Sequence, residues 1–449
     1  MFEPSALITN LLAAVALKDS AGAGMRAVMQ REQDFPSPTQ ARLTGVALDP
    51  NGRAYADEIL DTYWSDERHR RELFSSGSST REVIIGSGVH AAIYAAIRVL
   101  RGYPKPLVLE RADRVGGNFA MTGWPTFFLN SRNRAGAGGL AGDLGASLNY
   151  LPGAPIQAAD LSMREYITNA DMAFAVRLAL AQYADVVPNA NVVSVNPDSP
   201  GVEIGIEGDA SLLAGRVLDA RGVGDPNDQD VADGVTILTF PQFMRRMAGA
   251  WPLRGVRRVA VIGGGDSGKC AVESCLGIGP QPFMAAIGVD QVDRVDWYAV
   301  GLPTTCERWQ EDIRGRYQAI GRYLRPDRFG ARRLTVLPRT ARPVALPGAG
   351  LVDGRMYDVV VLCTGNRETI IDGLTVATFE EYTTADGAAV AREHDTLPVF
   401  RVGPHARLPL STRERTDGVA AIAANEVSIF RTAPKTAALA ATLPPVTRD

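Results

Sequence analysis

Gly86, Gly88 and Ala91 stand at the spacing Gly-x-Gly-x-x-Ala, directly after the β-branched run 82–85 and ahead of the helix-forming stretch 89–100. The chemistry that needs this pattern is the reception of a pyrophosphate. The first glycine turns the chain, the second lets backbone N–H groups approach the phosphates, and the small third residue keeps helix and strand close. The helix N-terminus adds partial positive charge. His90 stands at that helix start, where it either meets a phosphate, titrates, or merely fills a permitted position. Residues 106–110 supply a second strand ending in Glu110, which lies 24 positions after Gly86 (110 − 86). About 20 are expected before an acid that binds a ribose hydroxyl. Arg111 follows, and Gly116-Gly117 close the segment.

The same plan recurs downstream. Residues 258–262 lead into Gly263, Gly265 and Gly268, a full Gly-x-Gly-x-x-Gly that includes Ser267. The apolar return strand runs from Tyr357 to Gly365, and its Asp358 and Gly365 echo Asp219 and Gly222 of the first half. The strand 294–300 ends in Gly301-Leu302-Pro303 without the acid that would hold a free 2′-hydroxyl, and Arg308 follows within reach of a 2′-phosphate. This favours NADPH without excluding NADH.

These motifs need elements to hold them. A chain of 449 residues with 46% hydrophobic and 22% charged content has material for two or three domains. The formal net charge of −3, with no basic run carrying interleaved aromatics, points to small-molecule partners and away from nucleic acid. The apolar run 7–17 is broken by Thr9 and Asn10 and follows Glu3, so neither a membrane span nor a signal peptide is expected. Cys270, Cys275, Cys306 and Cys363 lack zinc-ligand spacing, so no metal is expected, and their small number suits a reducing compartment, with the cytoplasm as default.

The expected boundaries follow from composition. Residues 1–80 form a mainly helical extension ending in the polar linker 75–80. Residues 81–250 form the first part of one dinucleotide-binding domain, 251–366 an inserted second one, and 367–449 a return segment with C-terminal helices. The extension reads as an arm packed on the body or on a partner subunit of a homo-oligomer, or else as an active-site cover or docking segment. Within the first part, 118–133 reads as a structured loop holding Trp124, Phe127, Phe128 and Asn130, and 136–145 is dense in glycine. Thr168-Asn169-Ala170-Asp171 offers a capping box for the following helix, and short strands are expected at 191–195, 202–206 and 216–220.

The fingerprint at Gly86, Glu110-Arg111 with Gly116-Gly117, the second glycine turn, Asp358 with Thr364-Gly365, and Val402-Gly403 occur in one order over residues 81–443. In this the chain resembles the flavoproteins with two dinucleotide-binding domains, nearest to flavin-dependent monooxygenases and amine N-hydroxylases. The resemblance implies an α/β fold of two Rossmann-like domains, the FAD domain carrying an inserted NAD(P)H domain. FAD would be held by Gly86, Gly88, Ala91, Glu110, Arg111, Gly116, Gly117 and Gly403. NADPH would be held by Gly263, Gly265, Ser267, Gly268, Arg308 and Gly365. It further implies that reduced flavin reacts with O2 to a C4a-hydroperoxide, which passes one oxygen atom to a small nucleophilic N, S or activated C, with Asn130 and His405 beside the flavin. The FxGxxxHxxxW/Y signature of some relatives is absent from 238–244, and Pro404 stands where reductases of this group carry an aspartate. No cysteine follows Gly117 in 118–123, and Cys270 and Cys275, five apart on one helix, point roughly 140° away from each other. A dithiol reductase is therefore disfavoured. The alternatives are an FAD/NAD(P)H dehydrogenase or electron-transfer reductase, and an assembly or binding protein that keeps the nucleotide fold.

Overall fold

Short apolar, β-branched segments bounded by glycine turns become buried parallel strands, and the longer segments between them become helices. The computed structural model describes residues 57–58, 60–75, 81–120, 124–132, 166–198, 201–208, 210–227, 236–249, 255–278, 292–313, 315–326, 333–338, 343–367, 369–374, 380–383, 389–392, 399–403, 436–437 and 439–446. Helix α1 (Glu67–Ser75) precedes the first unit. There β1 (Glu82–Ile85), α2 (Val89–Leu100) and β2 (Leu107–Leu109) form the expected strand–helix–strand turn. Then come β3 (Phe128–Arg132) paired with β4 (Tyr166–Thr168), α3 (Asn169–Tyr183), β5 (Asp185–Val187) and an antiparallel meander, β6 (Val192–Asp198), β7 (Gly201–Ile206) and β8 (Ala210–Ala214). The chain returns as β9 (Arg216–Asp219), which lies parallel to β1 on the side away from β2.

A two-residue strand, β10 (Asp225–Pro226), leads out of this unit. The second unit begins with β11 (Ile237–Thr239) and α4 (Phe240–Ala248), then β12 (Arg258–Ile262), α5 (Asp266–Cys275), β13 (Arg294–Tyr298), α6 (Cys306–Asp312), a 3-10 helix over Gly315–Leu324 and β14 (Leu334–Leu337). A second meander follows, β15 (Val344–Leu346), β16 (Ala349–Val352) and β17 (Arg355–Tyr357), before β18 (Val359–Leu362) returns beside β12. Because β11 pairs in parallel with β18, the second sheet takes in residues 237–239, upstream of the boundary expected at 251. The chain re-crosses through β19 (Asn366–Arg367), antiparallel to β10, and β20 (Glu380–Thr383), β21 (Ala389–Arg392) and β22 (Val399–Arg401) complete the first sheet beside β9. The strand orders β9-β1-β2-β5 and β18-β12-β13-β14 are the same, and each unit places its meander before the return strand. The chain is thus α/β, with two Rossmann-like units, the second inserted in the first.

Both faces of each sheet are covered. Ile84, Val108 and Leu218 meet α2 and α3 on one face of the first sheet, while Val83, Leu107 and Val217 meet the meander on the other. Of the extension, Leu60 and Trp64 are buried in the first of these clusters, and Leu73 and Phe74 pack on the second, so residues 57–75 are part of this unit. Residues 1–56 lie outside the described residues.

Buried charge sets how these layers close. Glu82 on β1 receives Arg98 of α2 at 3.0 and 2.7 Å and also Arg216 of β9, and Arg98 and Arg216 donate onward to the carbonyls of Leu443 and Pro444. One carboxylate is therefore shared by two guanidinium groups that fasten helix, strand and C-terminal segment. Replacing Glu82 by Gln keeps the shape and removes the charge. Leaving two buried cations without it costs on the order of 3–5 kcal/mol. Urea unfolding of Glu82→Gln should show that loss at an unchanged m-value.

Candidate functional site

Crowding at the first glycine turn explains its composition. Gly86 has φ +96°, and a Cβ there would lie 2.8 Å from the Ala220 carbonyl oxygen at the end of β9. Gly117, at φ +64°, is pressed onto the same turn, since its Cβ would fall 2.8 Å from the Gly88 Cα. Loops after β1, β2 and β9 thus meet at van der Waals distance. Gly88 itself has nothing within 4 Å of a Cβ among the described residues, and it occupies the cap position of α2, where it offers no side-chain cap to the first N–H groups. An uncapped helix start beside open space is the cradle an anion requires. Ala91 is fully buried against the strand.

Glu110 is oriented before any ligand arrives. Its Oε2 accepts the Ser87 N–H at 2.9 Å and the Ser87 hydroxyl at 2.7 Å, and its Oε1 accepts the Ala112 N–H at 2.9 Å. Ser87 Oγ in turn accepts the Gly116 N–H at 2.9 Å. Ser87, an x position in the motif, is thus the link between carboxylate and Gly-Gly loop, which sequence reasoning missed. Oε1, with a single protein donor, is the oxygen with acceptor capacity left for a sugar hydroxyl. Arg111 is exposed and donates to Thr369 Oγ1 at 3.3 Å. Gly403 has φ +81°, and a Cβ there would meet the His90 ring at 2.9 Å. His90 is buried, with Nδ1 3.0 Å from Thr436 Oγ1, and burial lowers its pKa to about 4. It therefore serves as a neutral packing group that joins α2 to the return segment.

The extension reaches this loop through Arg177 of α3. That side chain is 0% exposed, donates to Asp57 at 2.7 Å and Asp61 at 2.8 Å, and gives Val115, just before Gly116, a hydrogen bond of 3.1 Å. At the end of β9, burial alone would raise the Asp219 pKa. The paired guanidinium of Arg221 and the neighbouring Arg401 overcome it and hold the carboxyl at about 2.

The second turn repeats the geometry more tightly. A Cβ on Gly263 would lie 1.9 Å from the Cys363 carbonyl oxygen, and one on Gly268 would lie 2.0 Å from the Gly263 oxygen, so neither position admits a side chain. Gly265 caps α5 with no side-chain cap and nothing within 4 Å of its Cβ, and Ser267 lies half-buried in the first turn. Gly365, at φ +85°, lies on the connector, where its carbonyl accepts the Asn227 N–H at 3.0 Å. Arg308 is exposed on α6 and pairs at 3.3 Å with both Glu311 and Asp312. Its guanidinium must leave these partners to meet a phosphate.

Between the two turns, residues 124–132 form a bridge. On one side Asn169 Oδ1 accepts the Phe127 N–H at 2.9 Å and Asn169 Nδ2 donates to the Pro125 carbonyl at 3.2 Å. The asparagine expected within a capping box is therefore spent on the neighbouring strand. On the other side Trp124 and Phe127 stack with Phe240 of α4 at ring-centroid distances of 5.9 and 6.4 Å. Arg316 of the 3-10 helix donates to the Phe128 and Leu129 carbonyls at 2.8 and 3.0 Å. Asn130 is the next residue of β3. His405, Pro404 and the glycine-dense 136–145 lie outside the described residues. All four cysteines are buried and none is in a disulfide. Burial pushes the Cys270 and Cys275 thiols up to about 12, and Cys270 Sγ lies 3.7 Å from Arg316. Among the described residues no group of His, Cys, Asp and Glu gathers to hold a metal, and no helix is long and apolar enough to cross a membrane.

No family profile and no curated protein matches the chain. Solved structures do. A flavin-containing monooxygenase from Stenotrophomonas maltophilia is 19% identical over 77% of this chain and 96% of its own, with a TM-score of 0.46. An ornithine N-hydroxylase of Kutzneria sp. 744 is 14% identical over 81% and 97%, with a TM-score of 0.49. A bacillithiol disulfide reductase from Staphylococcus aureus is 12% identical over 81% and 97%, with a TM-score of 0.48. Oxygenases and a reductase stand at the same distance, so activity has to be argued from the site.

Gly88→Val should fill the open space in front of α2. The purified parent is expected to carry an adenine dinucleotide and the variant to lack it, as measured by absorbance and released-cofactor chromatography, with an unchanged far-UV circular dichroism spectrum.

Proposed function

We propose that the chain is an FAD-dependent, NAD(P)H-using monooxygenase. The observation that carries the two-cofactor part is the pair of uncapped helix starts, at Gly88 and Gly265, each facing open space behind a turn too crowded for side chains. FAD fits the first, with the α2 N–H groups toward its pyrophosphate and Glu110 Oε1 toward its ribose. NADPH fits the second, with Ser267 in the first turn of α5 and Arg308 free to exchange Glu311 and Asp312 for a 2′-phosphate. Gly365 keeps the connector close to that unit.

When bound, the flavin would accept hydride from the nicotinamide and supply the oxygen-activating chemistry. The residues of this chain contribute binding and orientation. Gly116-Gly117 hold the loop against Gly88, Gly403 admits the His90 ring beside the return segment, and Trp124, Phe127 and Phe240 form an apolar wall that keeps water from one side of the bridge. By the resemblance, Asn130 would supply an amide at the flavin face, with His405 as a second group there. The buried, protonated thiols of Cys270 and Cys275 favour a small-molecule acceptor over a dithiol relay, because thiol–disulfide exchange requires an accessible thiolate. The substrate class is a small nucleophilic amine, thioether or activated carbon.

The direct test measures NADPH oxidation, oxygen uptake and peroxide release against panels of amines, thioethers and aromatics. Substrate-stimulated oxygen uptake is expected, and flavin reduction without oxygen consumption by any substrate would favour an electron-transfer reductase instead. Cys270→Ala/Cys275→Ala should keep NADPH-driven flavin reduction within about twofold of the parent, because burial keeps both thiols protonated. Asn130→Ala should keep FAD binding and NADPH oxidation while diverting oxygen to hydrogen peroxide. The coupling is expected to fall by roughly one to two decades, the consequence of losing one polar contact of about 1–3 kcal/mol.

A further inference from the structure

Among the described residues the chain passes between the two units through two segments, and these run side by side. Asp225–Pro226 and Asn366–Arg367 pair antiparallel, and Asn227 and Asn366 add hydrogen bonds of 3.0 and 3.3 Å to the Thr364 and Gly224 carbonyls. Such a pair resists separation of the units but leaves rotation about its shared axis as the soft motion, since adjacent crossings act as one hinge. Something beyond the hinge must set the angle.

Arg316 has the required contacts. Its guanidinium binds Glu273 of α5 at 3.1 and 2.7 Å, and both side chains are no more than 3% exposed. With the charge neutralised inside the second unit, the same fork donates to two successive carbonyls, Phe128 and Leu129, on β3. β3 is tied through β4 to Asn169 at the start of α3, hence to the first unit. Lysine presents a single nitrogen and cannot serve the carboxylate and two carbonyls in this arrangement together. The charge contact to Glu273 together with two carbonyl hydrogen bonds accounts for a buried ion pair, costly in itself, at this position.

We propose that Arg316 is a positioning residue that clasps the second unit to β3 and so fixes the angle about the β10–β19 hinge. Glu273 keeps it aimed. Its consequence for turnover rests on the oxidoreductase assignment, because a nicotinamide carried by the second unit reaches a flavin held by the first in only one relative orientation, and hydride transfer demands contact distance. The clasp itself needs no cofactor.

The test uses the full chain with its bound cofactor and compares Arg316→Ala, Arg316→Lys and Glu273→Gln with the parent. Amide hydrogen exchange reports the clasp. Arg316→Ala should raise exchange in the segment 127–132 by roughly tenfold or more, as expected for losing charge-assisted hydrogen bonds. Strands β1 and β12 should keep their protection, and Arg316→Lys and Glu273→Gln should lie between. Stopped-flow reduction reports the consequence. NADPH should bleach the flavin at least several-fold more slowly, at unchanged NADPH half-saturation and unchanged FAD content, while dithionite reduces all variants alike. Unchanged exchange in 127–132, or exchange raised equally through β12 and α5, would overturn the clasp. A clasp seen by exchange in a protein whose parent flavin NADPH does not reduce would instead sink the oxidoreductase assignment and leave Arg316 in its place. Should Arg316→Ala not fold, the exchange of the other two variants decides.

Discussion

Backbone crowding is the constraint on which the rest of this structure depends. Three loops arrive at one point after β1, β2 and β9, and they fit only because Gly86 lies against the Ala220 carbonyl and Gly117 lies against Gly88. Any side chain at these contacts would push the loops apart and close the open space before α2. The second unit meets the same demand through Gly263, Gly268 and the Cys363 carbonyl. Parallel strands with a right-handed crossover bring the carboxyl ends of several strands together, and that convergence is what produces a ligand crevice at the helix start.

Charge buried between layers then fixes what packing alone leaves free. Glu82 with Arg98 and Arg216, Arg177 with Asp57 and Asp61, Asp219 with Arg221 and Arg401, and Arg316 with Glu273 each join segments far apart in sequence. Apolar surfaces can slide at little cost, whereas a guanidinium with several acceptors has one satisfying position. The same logic makes the extension part of the first unit. Residues 57–64 supply the acids that neutralise a fully buried arginine under the Gly-Gly loop, and Trp64 covers that arginine at 5.2 Å.

The segment 124–132 owes its place to this division of labour. Its aromatics settle in the core of the second unit, while its backbone is held by Asn169 of the first and by Arg316 of the second. This stretch, stitched from both sides, is where the proposed reading has the two cofactors meet. Chemistry at such a junction depends on orientation as much as on residue identity, which is why hydrogen bonds to main-chain carbonyls matter there.

The glycine turns, the second strand ending in Glu110, the recurrence of the plan after Arg258 and the return strand to Gly365 were all legible in the chain, because each is a local pattern whose spacing is set by strand and helix geometry. The start of the second unit at Ile237 was not legible, since β11 earns its place by pairing with β18, more than a hundred residues on (360 − 237 = 123). Nor was the hidden work of side chains whose types are common at surfaces. Nothing in the sequence marked Ser87, Asn169 or Arg316 for the contacts they make, while Arg308, read as a phosphate contact, pairs with acids on its own helix. Periodicity and spacing report what a residue does to its own element. Which distant carbonyl or carboxylate a guanidinium finds is decided only when the layers close, because desolvation makes every buried donor seek a partner wherever the fold has brought one.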